Sequence, residues 1–427
     1  MQIAFLTLFL GLTSGVQPFE LSASGPAAAV EILLDGAVAQ RLSAPPWNGK
    51  IDLGADLAPH ELVARALDAS GQEIARTRQW INLPRPPAEV QIALEGASGA
   101  PRSVRLSWER LTHDPPVRTS LTLDGQELRL DDDRRASLPA YDPGSAHVLT
   151  AELRFPSNIV ARKDLIFGGE SGETQTELTA VPVDLLRGSR LPPVATLRGW
   201  FVKADGTPLQ VAAVEDGPAE LYLVRMPDAD SVKARLGVTL SRPSNLPLDK
   251  GDLLRIVSPR PRAYPGAAGT TELFDLSPHF QGRDGLRPYL VSGSFQDEGA
   301  GPLRTGDAVA VAGLQAMAGA HRRAVVLVLD GSTDASLYEP AMVRRYLAAI
   351  RVPLFVWSLD EDTAHRKDWG PTEVLYDSES LERAFRKVRT ELERQRIVWI
   401  EGRHLPQSIR LSPAARGIEL ATEGGTK

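Results

Sequence analysis

The sequence contains two copies of one strand-and-turn pattern, and this duplication constrains the fold more than any other feature. The first copy has the strand "VEILLDG", which ends in Asp35-Gly36, and the later stretch "HELVARALD", which begins at His60. The second has "TSLTLDG", ending in Asp124-Gly125, and "HVLTAELRF", beginning at His147. An Asp-Gly pair after an alternating strand is a strong hairpin signal. The repeat therefore predicts two β-sandwich modules of the immunoglobulin-like kind.

Several conspicuous side chains within these modules are predicted to be structural. His60 and His147 stand at equivalent places just before a strand, which indicates a shared turn rather than a binding role. Three tryptophans lie in or beside predicted strands and are expected to pack in the cores, namely Trp47, Trp80 and Trp108.

The first residues, "MQIAFLTLFLGLTSG", combine an apolar run from Ile3 to Leu12 with small residues after it. This pattern is typical of a signal peptide covering residues 1–15, although no Lys or Arg precedes the apolar run. The alternative is a first β-strand. No other stretch is apolar for long enough to cross a bilayer. We therefore predict an extracytoplasmic protein, periplasmic or secreted, with no membrane span after removal of the signal.

Proline-rich breaks divide the rest of the chain. They predict linkers at Pro84–Pro87 and Leu191–Pro193. The predicted domains are β-sandwich module 1 at residues 16–84, β-sandwich module 2 at residues 88–190, and a third domain at residues 194–427.

Composition excludes several functional classes. The 427 residues include no cysteine, which excludes disulfides, thiolate metal sites and a thiol nucleophile. The formal net charge of −6 makes nucleic acid an unexpected partner. The seven histidines are scattered, and none pair at zinc-ligand spacing.

The third domain changes character from strands and turns to alternating strands and helices. Ala324–Leu329 and "VPLFVWSL" are apolar without alternation, as in strands that are covered on both faces. Between and after them come the small-residue helix "RTGDAVAVAGLQAMAGAHRR", the helix "YEPAMVRRYLAAI", and an amphipathic helix at 381–392 with Ser378 or Ser380 as its N-cap. The alternation predicts an α/β fold with a doubly wound, mostly parallel sheet, whose ligand site lies outside the carboxyl ends of the strands.

This region resembles the von Willebrand factor A (vWA) domain, and it is most similar to the bacterial VWFA-related proteins, exported chains found notably among acidobacteria. The stretch "RTGDAVAVAGLQAMAGAHRRAVVLVLDGSTD" is similar to the family's threonine-bearing loop, helix and fourth strand ending in Asp-Gly. "LDKGDLLRIVSP" and "VPLFVWSL" resemble its second and fifth strands. The paired β modules also look like those of exported members.

The resemblance implies a metal-ion-dependent adhesion site in degenerate form. In the family, a magnesium or calcium ion is held by an Asp-x-Ser-x-Ser motif, a threonine and a late aspartate. Here the threonine falls on Thr305 and the late aspartate on Asp330, while the first motif falls on "DADSV". Asp228 matches its aspartate, Asp230 replaces the first serine and Val232 the second. Because valine cannot ligate a cation, we expect no bound cofactor or metal at this site.

The sequence shows no catalytic motif, such as a Gly-x-Ser-x-Gly elbow or a His-Glu-x-x-His pair. The predicted function is that of an exported, non-enzymatic protein that binds an unidentified protein partner, as adhesion-type proteins do. One alternative is a metal-dependent hydrolase that uses the acidic strand-end loops. Another is a purely structural component of the envelope.

Overall fold

The computed structural model of the 427-residue chain is predominantly β and contains two compact units. Unit 1 combines Met1–Pro84 with Leu178–Lys427, and unit 2 is Arg85–Glu177. The described residues are 2–7, 9, 11–24, 27–84, 88–97, 100–110, 115–142, 147–155, 160–167, 178–225, 245–266, 269–291, 302–319, 321–359, 361 and 366–421.

Module 1 is a sandwich of two antiparallel sheets with seven strands. The three-stranded sheet has the order β1-β2-β5, and the four-stranded sheet has the order β4-β3-β6-β7. Apolar residues from both sheets, such as Phe19, Ile32 and Leu62, form one buried cluster between them. The strands are β1 (Gln2–Phe5), β2 (Val16–Ser24), β3 (Ala29–Leu34), β4 (Ala37–Leu42), β5 (Asn48–Asp52), β6 (His60–Leu67) and β7 (Glu73–Ile81).

The predicted signal peptide forms part of this module. Strand β1 pairs with β2 from Gln2 opposite Ser24 to Phe5 opposite Leu21. Ile3 and Phe5 are buried in the module core, whereas Leu6 is exposed, so residues 3–6 have the alternating burial of a strand. The structure therefore favours the first-strand alternative for these residues, and export stays a prediction.

Module 2 repeats the layout of module 1 strand by strand. Its sheets have the orders β12-β9-β8 and β11-β10-β13-β14, so β8 corresponds to β1 and β13 to β6. Val104, Leu121 and Leu149 lie in its buried core. The strands are β8 (Ala88–Ala97), β9 (Ala100–Arg110), β10 (Arg118–Leu123), β11 (Gln126–Glu127), β12 (Arg135–Ser137), β13 (His147–Arg154) and β14 (Val160–Phe167).

The repeated histidines have the predicted structural role, and the same contacts recur in both modules. His60 Nδ1 is 2.7 Å from Asp35 Oδ2, and His147 Nδ1 is 2.7 Å from Asp124 Oδ2. The second ring nitrogen of each histidine faces a backbone carbonyl oxygen at about hydrogen-bond distance. Asp35 and Asp124 have φ of 51° and 47°, and each of these turn residues is hydrogen-bonded to the histidine of its own module.

The predicted boundary after module 2 is wrong, because β15 (Leu178–Leu185) pairs with C-terminal strands. It lies between β25 and β27 in a four-stranded sheet of order β17-β25-β15-β27. Val181 and Val183 are buried there with Val398 and Ile400. Leu191–Pro193 therefore lies within unit 1. The other strands of this region are β16 (Phe201–Lys203), β17 (Val211–Glu215), β25 (Gln395–Glu401), β26 (Ile409–Leu411) and β27 (Ile418–Leu420).

A seven-stranded, mostly parallel sheet occupies the centre of unit 1. Its order is β20-β19-β18-β22-β23-β24, with the two-residue strand β21 beside β19. β20 and β21 are antiparallel to β19, and the other pairings are parallel. The strands are β18 (Ala219–Arg225), β19 (Leu253–Gly266), β20 (Gly269–Leu276), β21 (Phe280–Gln281), β22 (Arg322–Leu329), β23 (Leu354–Ser358) and β24 (Glu373–Val374).

Helices cover both faces of this sheet, which explains why every residue of β18 and β22 is buried. One core contains residues of α1 and α4, and the other contains residues of α2 and α3. Asp377 is the N-cap of α4, and the Ser380 side chain accepts a hydrogen bond from the Asp377 N–H, which completes a capping box. The predicted N-cap, Ser378 or Ser380, is therefore wrong by one to three residues. The helices are α1 (Arg287–Val291), α2 (Thr305–Ala318), α3 (Pro340–Ala349) and α4 (Ser378–Arg394).

Module 1 shares a core with the parallel sheet. Leu57, Trp80 and Leu83 are buried in the cluster that includes α2 and α3. The Tyr346 hydroxyl on α3 donates a buried hydrogen bond of 3.0 Å to the carbonyl oxygen of Asn82. These contacts explain why module 1 belongs to unit 1. No helix within the described ranges is both long and apolar enough to span a membrane.

Candidate functional site

The candidate site lies at the carboxyl edge of the parallel sheet. If β21 is left aside and the other six strands are renumbered 1 to 6 in chain order, their spatial order in the sheet is 3-2-1-4-5-6. The order in which successive strands are added therefore reverses between strands 1 and 4, which are β18 and β22. Ligands of open α/β sheets bind outside the carboxyl ends of the strands at such a reversal. Asp330 follows β22 at this position. Asp228, Asp230 and Val232 lie outside the described residues.

Asp330 is held at the edge with one carboxylate oxygen satisfied and the other not. Its side chain is buried, and its Oδ1 accepts a 2.8 Å hydrogen bond from the backbone N–H of Ser332. Its Oδ2 is buried and has no hydrogen-bond partner among the residues that the structure describes. A buried acceptor without a donor costs free energy, so this oxygen is the one at which an added donor or cation would be stabilising.

Thr305 lies at the same edge, but its surroundings are those of a helix start. It is the first residue of α2, is buried, and donates its backbone N–H to Asp334 Oδ1 at 2.8 Å. The next amide, of Gly306, donates to Ser336 Oγ at 2.7 Å. Two side chains of the loop 330–339 therefore provide the acceptors that the first N–H groups of a helix lack.

Asp307, which was not among the predicted site residues, completes this exchange from the helix side. Its carboxylate is buried and accepts hydrogen bonds from the backbone N–H groups of Leu337 and Tyr338 at 3.0–3.1 Å. Arg304 Nε donates to Asp307 Oδ2 at 2.6 Å, which compensates its charge. The sequence signal for its role at the helix start was an acidic residue in the first helical turn, three positions after an arginine.

Gly306 is required where the loop and the helix meet. A Cβ atom at this position would lie 2.6 Å from the carbonyl oxygen of Tyr338. No side chain fits that gap without moving backbone. The close approach allows the helix and the loop 330–339 to exchange hydrogen bonds in both directions.

The result is a fixed loop that presents an apolar side chain to solvent. Leu337 is 72% exposed, although its backbone N–H is bonded to Asp307. Tyr376, which follows β24 at the same edge of the sheet, is 53% exposed. A rigid backbone lowers the entropy that is lost when a partner covers such side chains.

The described residues alone do not make a site for a magnesium or calcium ion. These ions take six or more oxygen ligands. Among the described residues, no group of three or more acidic or histidine side chains is placed to hold one. The carboxylates of Asp334 and Asp307 are occupied by backbone N–H groups. Thr305 and Asp330 are thus the two predicted ligands whose positions are known.

A second buried acid lies away from this edge and is structural. Burial raises the pKa of Asp184 to about 8, and the neighbouring Glu391 carboxylate adds to the shift. Asp184 is on β15, and Glu391 is in the last turn of α4, whereas the first turn of α4 is at the carboxyl edge. The pair joins α4 to the neighbouring antiparallel sheet.

A third polar cluster surrounds Glu220 at the amino end of β18. The Glu220 carboxylate is buried and bonds both the Tyr222 hydroxyl, at 2.9 Å, and His279 Nε2, at 2.7 Å. Burial, followed by the Glu220 charge, raises the pKa of Tyr222. These partners satisfy a carboxylate that would otherwise be buried alone.

No protein-family profile and no curated protein matches the sequence. Solved structures with similarity to the chain include fibronectin(III)-like modules of Clostridium thermocellum CbhA, at 11% identity, covering 41% of this chain and 100% of that one, with a TM-score of 0.17. The central fibronectin-III array of RIM-binding protein is 12% identical, with coverages of 45% and 80% and a TM-score of 0.23.

A tetra-tandem repeat from the extending region of a large adhesion protein is 13% identical, with coverages of 50% and 63% and a TM-score of 0.15. Such low TM-scores carry no weight for function. The β-sandwich modules are established by their own strand pairing and cores.

Proposed function

We propose that this chain is an exported, non-enzymatic protein-binding protein of the vWA type, which carries β modules and binds its partner at the carboxyl edge of the parallel sheet. The strand order, with the reversal between β18 and β22, supports this proposal. So does the resemblance of the loop after β22 to the family's fourth-strand motif. Export rests on the resemblance and on the apolar N-terminal run.

The observation that carries the proposal is the exposed Leu337 on a loop fixed by Asp307. Single exposed apolar residues are common on protein surfaces. Leu337 differs in that it stands beside the reversal point, where a ligand is expected, and its backbone is already ordered. A protein partner would cover this side chain without first having to order the loop.

We further propose that the partner binds without a divalent ion. Asp334 accepts a hydrogen bond from the Thr305 N–H and so stabilises the start of α2. Asp307, two residues after Thr305, accepts a hydrogen bond from the Leu337 N–H and so stabilises the loop. Val232 stands where the family has a hydroxyl ligand. The alternative function, that of a metal-dependent hydrolase, would require a bound divalent ion.

The test is a binding measurement on a partner captured with the full chain and then purified. Leu337→Asp should weaken binding at least tenfold, which corresponds to about 1.4 kcal/mol. Val117→Asp in module 2 is the matched control, because Val117 is 71% exposed. Adding a chelator should leave the affinity and the melting temperature unchanged.

Two results would contradict the proposal. Equal affinities for Leu337→Asp and the unaltered chain would place the partner elsewhere. A chelator-sensitive affinity, together with a melting temperature that rises with calcium or magnesium in the unaltered chain but not in Asp330→Ala, would establish an ion-dependent site instead.

A further inference from the structure

The loop that carries Leu337 has a second attachment, which comes from the opposite end of the chain. The Tyr338 hydroxyl donates a 2.8 Å hydrogen bond to the carbonyl oxygen of Leu12. Burial, followed by the Asp307 charge, raises the pKa of Tyr338, so the hydroxyl keeps the proton that it donates. Leu12 also packs against the core that includes α2 and α3. Residues 11–15, here termed the N-terminal strap, therefore contact the candidate binding loop directly.

Module 1 holds the strap from its other side through Asn82. The Thr13 N–H donates to Asn82 Oδ1, and Asn82 Nδ2 donates back to the Thr13 carbonyl, both at 2.8 Å. Asn82 is buried, and its own carbonyl oxygen accepts from the Tyr346 hydroxyl of α3 at 3.0 Å. Its φ of 57° places it in the left-handed region. One residue thus ties the strap, module 1 and α3 together.

Further backbone bonds keep the strap in register. Gly15 donates its N–H to the Gly54 carbonyl at 2.6 Å, and Leu53 donates to the Gly15 carbonyl at 3.0 Å. The strap therefore has the hydrogen bonding of a folded segment. Two hydrogen bonds fix Tyr338: its N–H donates to the Asp307 carboxylate, and its hydroxyl donates to the Leu12 carbonyl oxygen.

We propose that the N-terminal strap is a positioning element for the loop 330–339, so that the order of the loop depends on module 1. The proposal rests on the proposed function only in taking this loop as the binding surface. Coupling between two sites is reciprocal. Releasing the strap loosens the loop and weakens binding there, and a partner seated on the loop protects the strap.

Hydrogen exchange of the full chain, without any partner, tests the coupling. Tyr338→Phe removes the hydroxyl and keeps the ring. The amides of residues 332 and 335–338 should then exchange about fivefold faster, the factor expected for one intramolecular hydrogen bond. Amides of the strap should also exchange faster. The matched control is Tyr376→Phe, because the Tyr376 hydroxyl bonds Glu361. It should leave both segments unchanged.

A second variant tests the same coupling from module 1. Asn82→Gly removes both side-chain bonds to Thr13, together with the 3.0 Å bond that Asn82 Nδ2 donates to the Ala58 carbonyl within module 1. Glycine tolerates the positive φ, and its carbonyl still accepts from Tyr346. Exchange should rise in the strap and also in the loop. If the strap loosens and the loop does not, or if Tyr338→Phe leaves the loop unchanged, the proposal is overturned. Because no partner is involved, either result is distinguishable from a failure of the binding proposal.

Discussion

The two β modules share one strand plan, yet only module 1 belongs to the compact unit of the parallel sheet. Each has three strands opposite four, and each has an Asp-Gly turn bonded by a histidine at the same 2.7 Å distance. Module 1 differs in burying Leu57, Trp80 and Leu83 in the core of α2 and α3. Residues 85–177, in contrast, form a unit of their own.

This difference shows that the repeated pattern specifies a module but not its attachment. The turn and histidine act locally, between two neighbouring strands of one sheet. Attachment depends on a few apolar side chains outside the sandwich core. Their burial contributes free energy in proportion to the area that they remove from water. Two modules with the same internal plan can therefore have different positions in the architecture.

The largest expected effect concerns the first strand of module 1. Phe5 is buried in β1, so Phe5→Ala should lower the free energy of unfolding of unit 1 by about 3–5 kcal/mol. Val90→Ala on β8, the matching strand of module 2, should destabilise unit 2 instead. Chemical denaturation followed by fluorescence measures both. If Phe5→Ala has no effect, and intact-mass analysis shows residues 1–15 missing from native protein, the signal-peptide prediction stands.

A somewhat smaller loss of stability should distinguish module 1, which belongs to unit 1, from module 2, which lies in unit 2. Leu57 and Leu149 are both fully buried, the first in the shared core and the second inside module 2. Each substitution by alanine should cost about 2–5 kcal/mol. Calorimetry should show that Leu57→Ala lowers the transition of the parallel-sheet unit and that Leu149→Ala lowers another. A single transition that shifts equally in both variants would contradict the division into units.

The smallest effect is the pH dependence of the histidine turn in module 2. The hydrogen bond to Asp124 raises the pKa of His147, and the same bond lowers the pKa of Asp124. The His147 contribution is complete below pH 6.5 and is lost as pH rises through the raised pKa. The Asp124 contribution is complete above pH 3.8 and is lost as pH falls through the lowered pKa.

The histidine–aspartate pair should therefore stabilise unit 2 most between pH 3.8 and pH 6.5. Denaturation of the chain at several pH values checks this, because His147→Gln should flatten the profile above pH 6.5. The pair is near the surface, where screening makes such contributions small. A profile unchanged by His147→Gln would mean that the turn geometry alone holds the strand.

Local patterns account for the parts of the structure that were predicted. The Asp-Gly turns, the histidines and the three buried or half-buried tryptophans follow from strand alternation and turn chemistry over a few residues. The apolar strand at 324–329 likewise implied cover on both faces. The N-terminal run is ambiguous in the sequence, because a short apolar stretch is consistent with a signal peptide or with a strand. Only its pairing with β2 separates these alternatives.

The predicted site comprised Asp228, Asp230, Thr305 and Asp330, of which the structure describes Thr305 and Asp330. The interactions around these two residues were not predicted. Asp307 and Ser336 look like ordinary polar residues in the sequence. They matter because α2 and the loop after β22 meet there, and each provides the acceptors that the other lacks. Such partners are far apart along the chain, so no local pattern records them.

Sequence patterns predicted the repeated module plan, the positions of the buried strands and the residue types at the strand ends. These depend on periodicity and turn chemistry, which act between neighbouring residues. Three further features are visible only in the folded structure: β15 pairs with β25, module 1 shares a core with α2 and α3, and Leu12 bonds Tyr338. Those outcomes depend on which apolar surfaces and unpaired polar groups meet after the chain has folded.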